Sequence, residues 1–231
     1  MKLSDQKIGL IISCRYSSKR LPGKALLKFG DITAIGLLIR RLKKSELVKK
    51  IVLATSFNQE DDVLINEAKI SGILSHRGEL DNVLNRNLEA AIENDLDYII
   101  RVTGDCPFID GKFVDNCLVQ LTDYNNSIHT TKGNFPKGLD IEIVPRSFLE
   151  KIDIIPNLNK KYKEHMLSFF YENHKNDKIK YFTNQYGINV NETFTMDSEE
   201  DYIKLKKMYE YFNNPYFSVP ELLNFVNQNE L

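Results

Sequence analysis

The sequence predicts an α/β domain around a mostly parallel sheet. Three observations carry this. Short apolar runs of strand length recur along the first half, stretches with helical apolar spacing separate them, and polar loops follow the runs. Ile8-Gly9-Leu10-Ile11-Ile12 is a continuous apolar run, as expected of a strand buried on both faces. Ile35, Leu38, Ile39 and Leu42 recur at helical spacing behind Thr33, a suitable N-cap. Ile51 to Ala54 reads as a second strand. A helix marked by Val63, Leu64 and Ala68 follows the acidic run Glu60-Asp61-Asp62. Ile73-Leu74 predicts a brief third strand, Val83, Leu84, Leu88 and Ala91 a further helix, and Tyr98 to Val102 a fourth strand.

The second half is less regular. Ile141 to Val144 alternates like a strand, Lys160 to Tyr171 reads as one helix, and Ile179 to Phe182 as a strand. Phe194-Thr195-Met196 predicts a short strand before a helix capped by Ser198 with Asp201 three residues on, and Val219 to Val226 a last helix. No repeat or Gly/Pro/Ser-rich linker divides the chain. The expectation is one domain over residues 1–231, with a dimerisation segment around 130–185.

Composition narrows the function. The chain has 231 residues, 42% hydrophobic and 27% charged, with 31 basic and 32 acidic side chains and a net charge of −1. That balance is ordinary for a globular protein and argues against bulk nucleic-acid binding. No apolar stretch is long enough to span a membrane. The first apolar run lacks a signal-peptide cleavage pattern and reads as a strand. Cys14, Cys106 and Cys117 cannot all pair and show no CxxC spacing, which suits a reduced cytoplasm without a zinc site.

Ligands of parallel sheets sit at the carboxyl ends of the strands, so chemistry is expected in the loops there. The loop SCRYSSKRLPGK places Arg15, Lys19, Arg20 and Lys24 beside Ser17, Ser18 and Gly23. Cations, hydroxyls and free backbone N–H groups at close range suit a polyphosphate. Only eight of the basic residues are arginine, and two fall here. The bland alternative is a solvated basic loop. The loop is no P-loop, since Ser18 and Ala25 stand where that motif needs Gly and Ser or Thr. In RVTGDCPFID (101–110), Gly104 permits a tight turn and Asp105 projects at the sheet edge, where one carboxylate plus phosphates would suit Mg²⁺. An Asx-turn or helix cap is the alternative for Asp105. Asp197 follows the 194–196 segment and could join Asp105 on the metal, or simply favour the following helix dipole with Glu199, Glu200 and Asp201. FPKGLDIEI (135–143) offers Lys137, Asp140 and Glu142 around a turn. KYKEHM (161–166) puts Glu164 and His165 on a helix, where a lone His is more often structural than catalytic. His76 and His129 lie near strand ends without metal-ligand spacing.

RYSSKRLPGK resembles the R-x-x-S-x-R-L-P-G-K signature of cytidylyltransferases that activate acidic sugars, making CMP-3-deoxy-manno-octulosonate and CMP-sialic acids. Within that family the chain is most similar to the branch named for a spore-coat polysaccharide biosynthesis protein. Segments like ELDNVLNR (79–86), RVTGDCPFID, FPKGLDIEI, Glu164-His165 and DSEED (197–201) follow in the family's order. The resemblance implies a Rossmann-like nucleotidyltransferase fold in the glycosyltransferase-A style, and a cytoplasmic, commonly dimeric, Mg²⁺-dependent enzyme. It assigns Arg15, Ser18, Arg20 and Lys24 to the phosphates of CTP, and Asp105 and Asp197 to Mg²⁺. Arg86 and Arg101 would support the nucleotide or the acidic loop, Gly104 the nucleotide, and Lys137, Asp140, Glu142 and His165 the acidic sugar. The chain departs from the family at Ser13-Cys14, where Gln-Ala or Pro-Ala is common, and at Lys163, where Arg is common; lysine lacks the planar fork of arginine.

The expected reaction is attack of a sugar hydroxyl on the α-phosphorus of CTP, with loss of pyrophosphate. Arg15, Arg20 and Lys24 would neutralise the leaving group. One rival is a glycosyltransferase using a ready-made nucleotide sugar. Its usual Asp-x-Asp follows a strand, whereas Asp95-Leu96-Asp97 precedes one. The other rival is a non-catalytic nucleotide-binding subunit, against which both acidic positions speak.

Overall fold

A computed structural model describes residues 7–18, 20–122, 126–173, 178–188 and 191–229. Its frame is laid down by β1 (Ile8–Ser13), β4 (Lys50–Ser56), β5 (Leu74–Gly78) and β6 (Tyr98–Thr103). These lie parallel in the order β5-β4-β1-β6. β1 is central: Leu10 is paired with Ile51 on one side and Ile100 on the other. With both flanks paired and both faces covered, Leu10, Ile11 and Ile12 are fully buried, as their continuous apolar run requires.

Alternation along the strands divides the core. Leu10, Ile12, Ile100 and Val102 face one layer, formed by α1 (Ala34–Leu42), α2 (Asp62–Ile70), α4 (Gly111–Leu118), α8 (Glu199–Phe212) and α9 (Val219–Gln228). Ile11, Val52 and Ile99 face the other, formed by α3 (Val83–Glu93), α5 (Arg146–Asp153) and α7 (Ser168–Asn173), with α6 (Lys160–Glu164) against α3. The chain passes from β1 outward to β4 and β5, then returns by α3 to place β6 on the far side of β1. The order therefore reverses between β1 and β6, and the crevice beyond their carboxyl ends is the favoured ligand position.

Beyond β6 the sheet continues through β8 (Glu142–Pro145), β7 (Ile128–Thr130) and β9 (Ile179–Tyr181). β8 runs antiparallel to both β6 and β7, and β9 parallel to β7, so the seven-stranded sheet of the described residues is mostly parallel. A short hairpin, β2 (Lys28–Phe29) and β3 (Ile32–Thr33), stands apart from it.

Thr33 caps α1 by accepting from the Gly36 amide at 3.0 Å. Ser198 and Asp201 form a reciprocal capping box on α8. The helix expected over 160–171 is interrupted, because His165 ends α6 with non-helical backbone. Residues 194–196 are extended but join no sheet: the amides of Phe194 and Met196 donate to the carbonyls of Lys137 and Asp105. The third strand lies later than Ile73-Leu74. The hairpin, α4, β7 and α5 have no counterpart in the sequence reading. Among the described residues, no helix is long and apolar enough to cross a membrane.

Candidate active site

The loop after β1 is held from three directions. The Cys14 amide donates to the Ala54 carbonyl of β4 (3.1 Å), and the Gly104 amide donates to the Ser13 carbonyl (3.0 Å). The fully buried Asp61 carboxylate accepts from the amides of Tyr16 (2.6 Å) and Ser56 (2.9 Å), and from the Ser56 hydroxyl. Burial works against that charge, but these hydrogen bonds prevail and hold Asp61 below the usual carboxylate range. The loop closes where Gly23, at φ +68°, donates to the Tyr16 carbonyl. A single 3₁₀ turn then begins at Lys24.

Lys24 is the centre of the site. Its Nζ lies 2.8 Å from Asp105 Oδ2 and 3.0 Å from Asp197 Oδ1. The structure thus brings together a lysine after β1, an aspartate after β6 and an aspartate before α8. Met196 makes the join, since its amide donates to the Asp105 carbonyl at 2.8 Å. Arg20 and Lys137 reach the other Asp197 oxygen, at 3.0 and 3.4 Å, with side chains about two-thirds exposed. Burial opposes ionisation of Asp197, but the bond to Lys24 and the charges of Lys24, Arg20 and Lys137 outweigh it and lower its pKa. Burial likewise opposes the Lys24 charge, and the two carboxylates raise its pKa overall.

The turn that delivers Lys137 depends on Gly138. This residue has φ +94°, and a Cβ there would lie 2.3 Å from the Phe194 backbone. Asp140 folds back to accept from the Gly138 amide at 2.9 Å. On the other side of the crevice, half-buried Arg15 faces Glu164 at 3.6 Å. This puts the end of α6, with exposed His165, beside the basic loop. The Ser18 hydroxyl accepts from the Leu21 amide (3.4 Å). Lys19 lies outside the described residues.

Other candidates are engaged elsewhere. Glu142 is 1% exposed and spends both oxygens inside the protein, on Arg101, Lys132 (2.7 Å) and the Tyr171 hydroxyl (2.8 Å). Burial would raise its pKa, yet Arg101 and Lys132 bring it down to about 2. The structure places Glu142, expected at the acidic sugar, and Arg101, expected at the nucleotide or the acidic loop, in an ion pair that joins β6 to β8. Arg86 is buried too, donating to the carbonyls of Glu79 and Leu80, so it shapes the loop after β5 from behind. Gly104 is needed for space, since a Cβ would meet Cys14 Sγ at 2.5 Å; its φ is not positive. His76 pairs with Glu93 of α3 at 2.7 Å, and His129 is buried, packed on Phe182 and accepting from the Thr122 amide. Neither histidine enters the crevice. Asp95 pairs with exposed Lys7 at the amino end of β6, away from the site.

Sequence reasoning missed Asp61, Lys132 and Tyr171. Asp61 carried a signal, in an acidic run beside a strand end, but read as helix charge. Lys132 and Tyr171 carried none.

For a metal, the donor set fits a hard divalent cation. Two anionic oxygens already hold one cationic nitrogen between them, which is the environment Mg²⁺ seeks. No group of three or more His, Cys, Asp or Glu suited to a metal occurs among the described residues. Remaining ligands would come from phosphates and water.

The family model described as cytidylyltransferase matches residues 10–230. An uncharacterized protein of Methanocaldococcus jannaschii is 32% identical over 96% of this chain and 91% of its own length. The spore coat polysaccharide biosynthesis protein SpsF of Bacillus subtilis is 29% identical over 95% of this chain and 93% of its own. A solved cytidylyltransferase from Leptospira borgpetersenii superposes with a TM-score of 0.90 at 34% identity, covering 97% of this chain and 95% of that one. A CMP:2-keto-3-deoxy-manno-octonic acid synthetase solved with CTP shares the fold, with a TM-score of 0.67 at 17% identity over 89% of this chain and 99% of that one. With the match running from β1 to the end of α9, the chain belongs to the cytidylyltransferase family.

Proposed function

We propose that the enzyme transfers CMP from CTP to a hydroxyl of an acidic sugar, releasing pyrophosphate, in the cytoplasm and for surface polysaccharide synthesis. The observation that carries this reading is the Lys24 ammonium bridging Asp105 and Asp197 at the carboxyl ends of β1 and β6. Similarity to SpsF supports a part in polysaccharide synthesis, and similarity over about half the chain to 3-deoxy-manno-octulosonate cytidylyltransferases supports the acidic acceptor.

In this reading Arg15, Ser18, Arg20 and Lys24 bind the triphosphate. Lys24 has three N–H donors and spends two on carboxylates, so one remains for a phosphate oxygen. Exposed Arg20 turns to the leaving pyrophosphate, where an arginine fork spans two oxygens. Lys137, beside Asp197 and open to the crevice, takes the acceptor carboxylate and sets the acceptor hydroxyl toward the α-phosphorus. Glu164 orients Arg15, and Asp140 holds the turn under Lys137. Asp105 and Asp197 would hold Mg²⁺, which supplies neutralisation of phosphate charge when bound. Pairing of two copies through residues 130–185 belongs to the same proposal.

The test is a pyrophosphate-release screen of four nucleoside triphosphates against a panel of acidic and neutral sugars with Mg²⁺. Release with CTP and an acidic sugar, lost in Asp105→Ala, is expected. Release with no pair, or undiminished release by that variant, would overturn the reading.

A further inference from the structure

We propose that the groove between α1 and the α8–α9 connection is a second anion site, which takes a small phosphate monoester carried on a ring. The groove has a volume of about 780 Å³, the size of a small-molecule site, and shares none of its lining with Lys24, Asp105 or Asp197. Its charge is uneven. Lys28, Arg40, Lys43 and Lys44 stand around it against only Asp31 and Glu67; Glu67 accepts from the Thr33 hydroxyl at 2.9 Å, Lys43 donates to the Ser71 carbonyl at 2.8 Å and Lys28 to the Asp31 carbonyl at 3.5 Å. Arg40 is exposed and makes no hydrogen bond or ion pair among the described residues, so its guanidinium is available to a phosphate. Lys44 lies over the Tyr216 ring at 4.6 Å. Tyr209 and Tyr216 form aromatic walls that suit a flat or puckered ring.

The groove is lined by the hairpin and by the far end of α8. Lys28 begins β2, directly after the turn that starts at Lys24, and Tyr209 belongs to α8, which starts just after Asp197. The Tyr202 hydroxyl of α8 donates to the Lys28 carbonyl at 2.7 Å, and Phe29 packs edge-on against Tyr202 and Tyr209. An occupant spanning Lys28 and Tyr209 therefore bridges the hairpin that follows the Lys24 turn and the last turn of α8.

The test is calorimetric titration with CMP, and with inorganic phosphate as competitor. It uses the full chain, Lys24→Ala, and Arg40→Glu combined with Lys44→Glu. Both exchanged groove residues are exposed and lie outside the crevice, so the double variant should fold and keep its pyrophosphate release. Expected is a binding equivalent that survives in Lys24→Ala, is displaced by inorganic phosphate, and weakens at least about tenfold in the double variant. CMP binding indifferent to the charge reversal, or not displaced by phosphate, would overturn the assignment. These outcomes are read by binding alone, so they stand apart from whether any acceptor sugar is found.

Discussion

Lys24 sits where its loss would be felt twice. Asp105 and Asp197 each lie within 3.0 Å of its nitrogen, so Lys24→Ala leaves two carboxylates facing each other without their shared cation. Steady-state pyrophosphate release should fall by about 10²-fold or more, the scale on which a preorganised charge acts on phosphoryl chemistry, while the circular dichroism spectrum is kept. A second residue-scale expectation concerns the thiols. Burial, then the charges of Asp105 and Asp61, push Cys14 up to about 12, and burial raises Cys106 and Cys117 as well. The folded protein should resist iodoacetamide at pH 8 and take up label only when unfolded, as read by mass spectrometry. At this scale the sequence was a good guide wherever chemistry follows a strand. Arg15, Lys24 and Asp105 could be picked out because each lies in a loop at a strand's carboxyl end. The surroundings of Glu142 were not legible, because its partners Arg101 and Tyr171 lie on other elements.

At the scale of elements, the crevice depends on close backbone approaches. Gly138→Ala would put a methyl group within 2.3 Å of the Phe194 backbone at a φ that alanine rarely adopts. It should part the Lys137 turn from the 194–196 segment. Stability should drop by about 1–3 kcal/mol in urea unfolding, and pyrophosphate release should drop with it. Gly104→Ala should act similarly at the β1–β6 end, and adding Cys14→Ala should restore only part, because the Cys14 Cβ itself lies 2.7 Å from the new atom. Helix α1 was legible since its cap and apolar spacing lie within one segment, and α8 from its capping pair Ser198 and Asp201. The two- and three-residue strands β2, β3 and β7 are too short to show a period. The extended run 194–196 failed as a strand because its partners, Lys137 and Asp105, come from two different loops.

At the scale of the molecule, two buried charges tie the layers. Arg41 donates to the carbonyls of Pro215 (2.6 Å) and Phe108 (2.8 Å) and lies over the Phe217 ring, joining α1, the loop after β6 and the approach to α9. Arg41→Met removes these bonds and strands two carbonyls, and should cost about 3 kcal/mol or more in urea unfolding. Glu142 supplies the acid sensitivity. Its folded pKa of about 2 lies below the ordinary 4.5, so it contributes stability in full above 4.5 that is lost as the pH falls from there through about 2. In Glu142→Gln, thermal unfolding should be less stable at neutral pH and should flatten over that acid interval. The parallel half of the sheet was legible from strand and helix alternation. The reversed strand β8 was not, because nothing in Ile141 to Val144 tells the direction in which a strand will pair.

Asp197 reaches the crevice by way of an extended stretch that hydrogen-bonds to Lys137 and Asp105, late in the chain. One carboxylate therefore answers to two loops, so a shift in either turn is passed on to it with no change at position 197 itself.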